Sequence, residues 1–358
     1  MRGSFPVGQL EPPEPGYRGQ QPGNEPEEPD EGAQTAGNSR KRSRRVVVGT
    51  VLLAAALLYV SFRGVDWGEM ARGVREARLR YLGAAFLILS LSYLLRALRW
   101  RVLLAGKKAV SLLTSFWASE IGYLGNSFLP ARAGDVIRTI VIARATGISA
   151  SYALATVVTE RIMDVLALVV MSVIALAVLP QTPTWLFRTT ELAAAIAVLG
   201  VAGLFVAPRL EAWLGALLER GPLPAALHAR LMLLLAEFLL GLRTLRHGGR
   251  ALSFGVLTVT IWFLDASMVM VLAHAFGLQL VLPQSLLLLA ALGLASSAPS
   301  TPGYVGMYQF VAVNVLTPFD FTRSQALLYI LAFQAVMYAV AILWGGLGLW
   351  RLREGTHA

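Results

Sequence analysis

The sequence contains no cysteine, which excludes disulfides, thiolate nucleophiles and cysteine-ligated metals. Its four histidines, His228, His247, His274 and His357, are scattered, and no HExxH or HxH spacing marks a metal centre or a catalytic cluster. Charge is also scarce: 15% of the 358 residues are Asp, Glu, Lys or Arg, against about 25% in an ordinary soluble domain. Apolar residues take the place of the missing charge. They make up 56% of the chain, and the mean hydropathy is +0.61. Several runs are long enough to cross a bilayer as a helix of about 20 residues. Lipid leaves only helices and closed barrels able to satisfy their own backbone, and these runs lack the alternation of barrel strands. The fold class expected is therefore an all-α, polytopic helical membrane protein.

The formal net charge of +10 is unevenly placed. Glu11, Glu14, Glu25, Glu27, Glu28, Asp30 and Glu31 are balanced by Arg2 and Arg18 together with the cluster Arg40, Lys41, Arg42, Arg44 and Arg45. The whole excess thus belongs to the apolar portion, where it suits anionic head groups, each juxtamembrane cation gaining about 1 kcal/mol near an anionic leaflet. Basic residues spread through short loops do not form a nucleic-acid face.

Residues 1–45 are rich in Pro, Gly, Glu and Gln and cannot bury enough surface to offset chain entropy, so they are read as a disordered cytoplasmic tail with a basic end. The run 46–62 follows as an uncleaved anchor, since no small-residue cleavage site succeeds it. In 63–80, Trp67, Met70, Val74 and Leu79 recur at near-helical spacing among five arginines and three acids, the pattern of an interfacial helix. Further spans are expected near 81–98, 112–129, 152–179, 192–206, 251–276, 282–298 and 325–350, making 46–350 the transmembrane domain and 351–358 a short cytoplasmic tail. The polar stretch 208–250, with six arginines, should be cytoplasmic by the positive-inside rule. With both termini on the cytoplasmic side of the cell (inner) membrane, 112–147 and 282–317 must each enter and leave on one side, as re-entrant or broken-helix hairpins. Gly277–Val281 then lies outside, and the arginines of 63–80 are the misfit. Residues 81–179 and 251–350 become inverted-topology halves, the architecture in which transporters place a site where the helix breaks meet.

Three segments carry candidate chemistry. Around the first break, Asn126, Pro130, Arg132, Asp135 and Arg138 lie in one short stretch. Pro130 ends one helix and lets another begin, and a new N-terminus beside two guanidinium groups suits a phosphate. The same pattern also fits a Pro/Gly loop whose arginines snorkel to the interface. The second segment is Glu160, Arg161 and Asp164, inside an apolar run where a charge costs roughly 3 kcal/mol on insertion scales. Glu160 and Asp164 share a helix face at i, i+4, which is unfavourable unless a cation lies between them. Arg132, Arg138 and Arg96 are the candidate counter-ions, and the carboxylates could relay protons, hold arginines in place or form a purely structural cluster. The third is the uncharged break Pro299, Ser300, Thr301, Pro302, Gly303, Gly306 and Gln309, which offers hydroxyls, backbone dipoles and a hinge, or a plain turn with small-residue packing. Arg96, Arg99, Trp100 and Arg101 read as an interface anchor. Asp265, lone in its span, could pair with an arginine or face water, and His274 has no visible partner.

Leu98-Arg99-Trp100, the stretch Asn126–Arg138, Glu160-Arg161-x-x-Asp164 and Pro302-Gly303-x-x-Gly306 occur in an order that resembles the lysylphosphatidylglycerol synthase transmembrane-region family of flippase-like proteins. The likeness covers about 46–350. Asp135 stands where the family more often has Glu, and Gln309 where many members have Glu. The chain reaches Ala358 without the soluble aminoacyl-transfer domain of bifunctional members, so lysine transfer is not expected. The resemblance implies a translocase moving an anionic or modified phospholipid, or a polyprenyl-phosphate-linked lipid, between leaflets. Arg132, Arg138 and Arg161, with Asn126, Pro130 and Asp135, would form the head-group site, and Arg96, Glu160 and Asp164 a charge network or proton coupling. No cofactor, no metal and no catalytic residue is expected, and an enzyme of envelope-lipid synthesis is the candidate protein partner. The alternative is a glycosyl or phosphate-group transferase acting on polyprenyl lipids, with Asp135, Glu160 or Asp164 as base.

Overall fold

The computed structural model describes residues 52–129, 132–179, 247–297 and 302–355, together with Gly49 and scattered positions between 188 and 236. The tail 1–45, the expected span 192–206 and most of the basic stretch 208–250 lie outside the described residues. The elements are α1 (Leu52–Phe62), α2 (Trp67–Arg75), α3 (Leu79–Leu104), α4 (Leu112–Phe128), α5 (Ala133–Thr146), α6 (Ala150–Val178), α7 (Gly248–His274), α8 (Leu282–Ser297), α9 (Met307–Leu316) and α10 (Arg323–Gly355). Among the described residues there is no strand, and the chain is an all-α polytopic membrane protein.

Local chemistry sets the boundaries. Asp66 caps α2 by accepting from the N–H groups of Gly68 and Glu69, Ser111 caps α4 and Ser149 caps α6. Gly147, at φ 74°, takes the left-handed conformation that stops α5 and lets α6 begin three residues later. The amphipathic stretch after α1 forms α2 over nine residues, none of them buried, with Trp67 stacked on Phe62 of α1.

Four helices, α3, α6, α7 and α10, are long and apolar enough to span a membrane. At 1.5 Å per residue, their 26 to 33 residues give about 39–50 Å, beyond the roughly 30 Å hydrocarbon core. α4, α5, α8 and α9, with 17, 14, 16 and 10 residues, reach about 15–26 Å each. Outward faces remain oily: Leu252, Val256, Val259 and Phe263 form an exposed stripe along α7 at helical spacing. Lipid accommodates such a stripe without cost, because no water meets it.

The packing is reciprocal. α3 and α7 lie against each other antiparallel, as Arg78 N–H donates to the Ala275 carbonyl (2.9 Å) at one end, Ser92 bonds Asp265 midway, and Arg99 reaches Thr258 (3.2 Å) further on. α4 packs on α10, with Gly345 and Gly348 against Leu124 and Ile121, while α8 packs on α6, with Gly293 against Leu168. Each half thus lends its short helix to the last long helix of the other, and the two leading helices run in opposite senses.

The first short pair is drawn tight by glycine. A side chain at Gly134 would sit 1.9 Å from the Gly122 carbonyl and 2.5 Å from the Asn126 nitrogen, so backbone meets backbone where α4 and α5 cross. That approach turns Asn126, Asp135 and Arg138 toward α6.

Candidate functional site: a charged cavity between the halves

The two breaks meet. Arg132, the N-cap of α5, adopts the left-handed conformation (φ 53°, ψ 37°), which costs a non-glycine residue about 1–3 kcal/mol. Its side chain is tied to the other half: Nε donates to the Ser296 carbonyl (2.9 Å) and Nη2 to the Ser296 hydroxyl (2.8 Å). Phe128 stacks on Tyr338, and a Cβ on Gly303 would stand 3.0 Å from the Ser127 carbonyl. Pro130 in the first break and Pro299, Ser300 and Thr301 in the second lie outside the described residues.

The second break resumes as a 3-10 turn, Pro302–Tyr304, in which Gly303 (φ 63°) and then Gly306 (φ 87°) use backbone conformations open to glycine. The Gly303 carbonyl accepts from Gln334 Nε2 (3.0 Å) and the Tyr338 hydroxyl (2.8 Å). Gln309 accepts from the Gly306 N–H (2.7 Å) and donates to Gln334. Its amide is therefore spent on holding the turn, and Gln309 does not line the cavity.

A charge cluster stands beside the breaks. The fully buried Arg99 donates to Asp164 through both terminal nitrogens (2.7 and 3.1 Å) and to Glu160 (2.9 Å). Arg138 donates to the other Glu160 oxygen (3.0 Å) and lies over the Trp100 ring at 4.9 Å. Arg161 grips Asp135 through Nη2 (3.0 Å) and Nε (3.2 Å), and Asn126 donates to the same carboxylate (3.2 Å). Arg96 pairs with Asp265, which also accepts from Ser92. Each carboxylate in these pairs is neutralised by a guanidinium and hydrogen-bonded, the condition under which buried charge persists.

These side chains adjoin a cavity of about 660 Å³ whose wall draws on α3 to α6 from one half and α7 to α10 from the other. Arg96, Arg132 and Arg161 face it together with Asp135, Asp164 and Asp265, alongside Tyr93, Tyr123 and Tyr308 and many aliphatic groups. Three arginines thus stand against three aspartates, so the cavity that holds the expected head-group arginines is lined by as many acids as cations. The positive groups are matched one for one, apart from their arrangement: Arg132 touches neutral oxygens and has no ion-pair partner among the described residues, whereas Arg96 and Arg161 are paired.

Further corrections concern the counter-ions. Of the three arginines expected to neutralise Glu160 and Asp164, Arg138 pairs with Glu160, but Arg132 binds Ser296 and Arg96 binds Asp265. The cation between the two carboxylates is Arg99, expected to be an interface anchor, because α3 crosses α6 where Arg99 points inward. Arg138 is 1% exposed and sits behind the wall rather than in it. Asp265, left open between an arginine and water, is paired, and His274 ring nitrogen Nδ1 lies 2.7 Å from the Met270 carbonyl. Sequence reasoning passed over Glu120, which is fully buried on α4 with no hydrogen-bond partner to either carboxylate oxygen among the described residues. The insertion cost that singled out Glu160 applies equally to this lone acid within an apolar run.

Comparison with known proteins adds an independent line. The family described as Lysylphosphatidylglycerol synthase TM region matches residues 46–345. A protein named Glycosyltransferase AglD from Haloferax volcanii is 26% identical over 345 residues, covering 86% of this chain and 54% of that protein. The chain therefore spans about half the length of this curated relative. No solved structure matches. With the family match running from residue 46 into the last of the four long helices, this chain belongs to the Lysylphosphatidylglycerol synthase TM region family.

Proposed function

We propose that the protein is a lipid translocase that passes an anionic or modified phospholipid, or a polyprenyl-phosphate-linked lipid, between leaflets. One observation carries this reading: Arg132, a guanidinium without a carboxylate partner among the described residues, stands at the first turn of α5, where both helix breaks meet and open on the 660 Å³ cavity. A phosphate there gains the guanidinium fork and the dipole of a 14-residue helix. The tyrosines and aliphatic groups around it suit the glycerol and the first methylenes, while the acyl chains stay in lipid. Arg161, partly exposed and already on Asp135, is a second head-group contact. Arg99, Arg138, Glu160 and Asp164 keep the wall in shape.

In the same reading α4–α5 and α8–α9 are re-entrant hairpins, since each helix is shorter than the hydrocarbon core, and both termini face the cytoplasm of the cell (inner) membrane. Lys107 and Lys108 beside Ser149 and the Thr146 carbonyl, with Arg351 over Trp117, gather cations at one end of the bundle, as the positive-inside rule asks. Alternating exposure of the cavity between the halves then carries the head group across.

The test is reconstitution. Vesicles containing the purified chain should exchange fluorescent phosphatidylglycerol or fluorescent polyprenyl phosphate between leaflets. Arg132→Ala should slow exchange about tenfold, the equivalent of one charge-assisted hydrogen bond of roughly 1.4 kcal/mol. Exchange of neither lipid, or unchanged exchange in the folded variant, overturns the proposal. The relative's printed name favours a second reading, a polyprenyl-lipid glycosyl or phosphate-group transferase. Against it, Asp135, Glu160 and Asp164 are each held by arginine, which makes them poor bases. Formation of a glycosylated lipid from a sugar nucleotide would decide for it.

A further inference from the structure

The translocase reading leaves one buried acid unused. Glu120 has no exposed surface, and neither of its oxygens finds a hydrogen bond or a guanidinium among the described residues. On α4 it shares a face with Phe116 at i−4 and Tyr123 at i+3. Phe116 packs edge-on against Trp344 of α10 (5.8 Å between centroids), and Tyr123 against Tyr93 of α3 (4.6 Å). Glu120 therefore points into the seam between α3 and α10, which the bond from Trp344 Nε1 to the Ser90 hydroxyl (3.1 Å) bridges. An ionised carboxylate there would forgo its hydration with nothing in return, a cost far above that of giving the group a proton. A metal ion is no substitute, because a hard cation needs six or more oxygen ligands and the flanking residues supply rings and apolar groups. The titratable and charged groups facing this acid are few. Among the described residues, α3 contributes Tyr93 and Arg96, the latter already neutralised by Asp265; α4 itself contributes Tyr123; α5 brings Arg138 against Gly122, its guanidinium held by Glu160; the adjoining α10 residues, Trp344 and Gly345, do not titrate.

Tyr93, Tyr123 and Arg96 all line the cavity, so Glu120 stands one helical turn behind its wall, with a pair of phenols between. We propose that Glu120 is a proton-binding site, occupied at neutral pH and exchanging with the cavity past Tyr93 and Tyr123, and that its proton links lipid translocation to a proton gradient. The linkage rests on the translocase reading; the proton site does not. In a step of transport, the Glu120 proton passes to water that the cavity admits, the carboxylate forms while Arg96 turns toward it the Nε that has no partner among the described residues, and a proton returns from water on the other side when the seam closes. No bond to the lipid forms or breaks.

Infrared spectra of the purified protein test the site directly. The wild type should show the carbonyl stretch of a protonated carboxylic acid that shifts in D2O, and Glu120→Gln, with the wild-type size-exclusion profile, should lack it. Absence of the band in the wild type, or its persistence in the variant, overturns the proposal. Tyr93→Phe with Tyr123→Phe should keep the band and slow its deuterium shift, giving a second measurement if the glutamine variant does not fold; an unaltered rate refutes the route past the phenols. For the linkage, vesicles with fluorescent phosphatidylglycerol and a gradient of one pH unit should accumulate the lipid in one leaflet by up to about tenfold for one proton per lipid, and Glu120→Gln should abolish that asymmetry. Gradient-free exchange with no response to pH overturns the linkage. Failure of the wild type to exchange lipid at all removes the translocase reading instead, and the infrared band still decides the proton site.

Discussion

At the scale of the residue, the organising group is Arg99. Its planar fork engages Asp164 with two nitrogens while one of them also reaches Glu160, an arrangement a point charge cannot copy. Arg99→Ala should leave two carboxylates buried without their main cation and lower stability by about 3–5 kcal/mol, read as a fall in the thermal unfolding midpoint of the detergent-solubilised protein. Arg99→Lys should recover only part of that loss. Part of this site was legible beforehand: the i, i+4 spacing of Glu160 and Asp164 demanded a cation between them, because two like charges cannot share a helix face in lipid. Which arginine answers the demand was not. Arg96, Arg99 and Arg101 lie within two turns, and only the rotation of α3 against α6 and α7 sends Arg99 to Glu160 and Arg96 to Asp265.

At the scale of the element, the short pairs depend on glycine in two different ways. Gly134 serves close approach: a Cβ there would stand 1.9 Å from the Gly122 carbonyl and 2.5 Å from the Asn126 nitrogen, so Gly134→Ala should push α5 off α4 and disturb the hold of Asn126 and Arg161 on Asp135. The expected result is a fall in lipid exchange of tenfold or more with a lowered melting point, whereas Gly346→Ala on α10, where a Cβ meets nothing within 4 Å, should leave both within error. Gly303 serves conformation as well, its φ of 63° and the Tyr338 hydroxyl both resisting a side chain. The hydropathy of the chain foretold the broken helices, since proline and glycine clusters interrupt the apolar runs at matching places. It could not foretell that Gln309 turns inward to cap α9, because a side chain's bonding partner is set by what packs against it.

At the scale of the whole molecule, the antiparallel pairing of α3 with α7 and the exchange of short helices between halves suit a body with two equivalent ends. The natural absence of cysteine makes this directly measurable. In right-side-out vesicles, a cysteine at Gly277 should react with an impermeant maleimide and one at Lys108 should not, because Arg78 and Ala275 share one end while Lys108 and Thr146 share the other. Labelling of both from one side would refute the inverted arrangement. Arg78→Cys with Ala275→Cys should cross-link under mild oxidation, reporting the α3–α7 register.

Composition, apolar run length and the positions of proline, glycine and intramembrane charge determined that the chain is a bundle of membrane helices, interrupted twice and carrying ions at its centre, because each of these is a property of the chain alone measured against lipid. Tertiary structure alone decided which guanidinium meets which carboxylate, that the cavity is balanced rather than basic, that Arg132 binds Ser296 and that Glu120 finds no partner among the described residues. Those outcomes depend on helix rotation and crossing, through which residues far apart in sequence come within 3 Å, and no pattern along one strand of sequence encodes them.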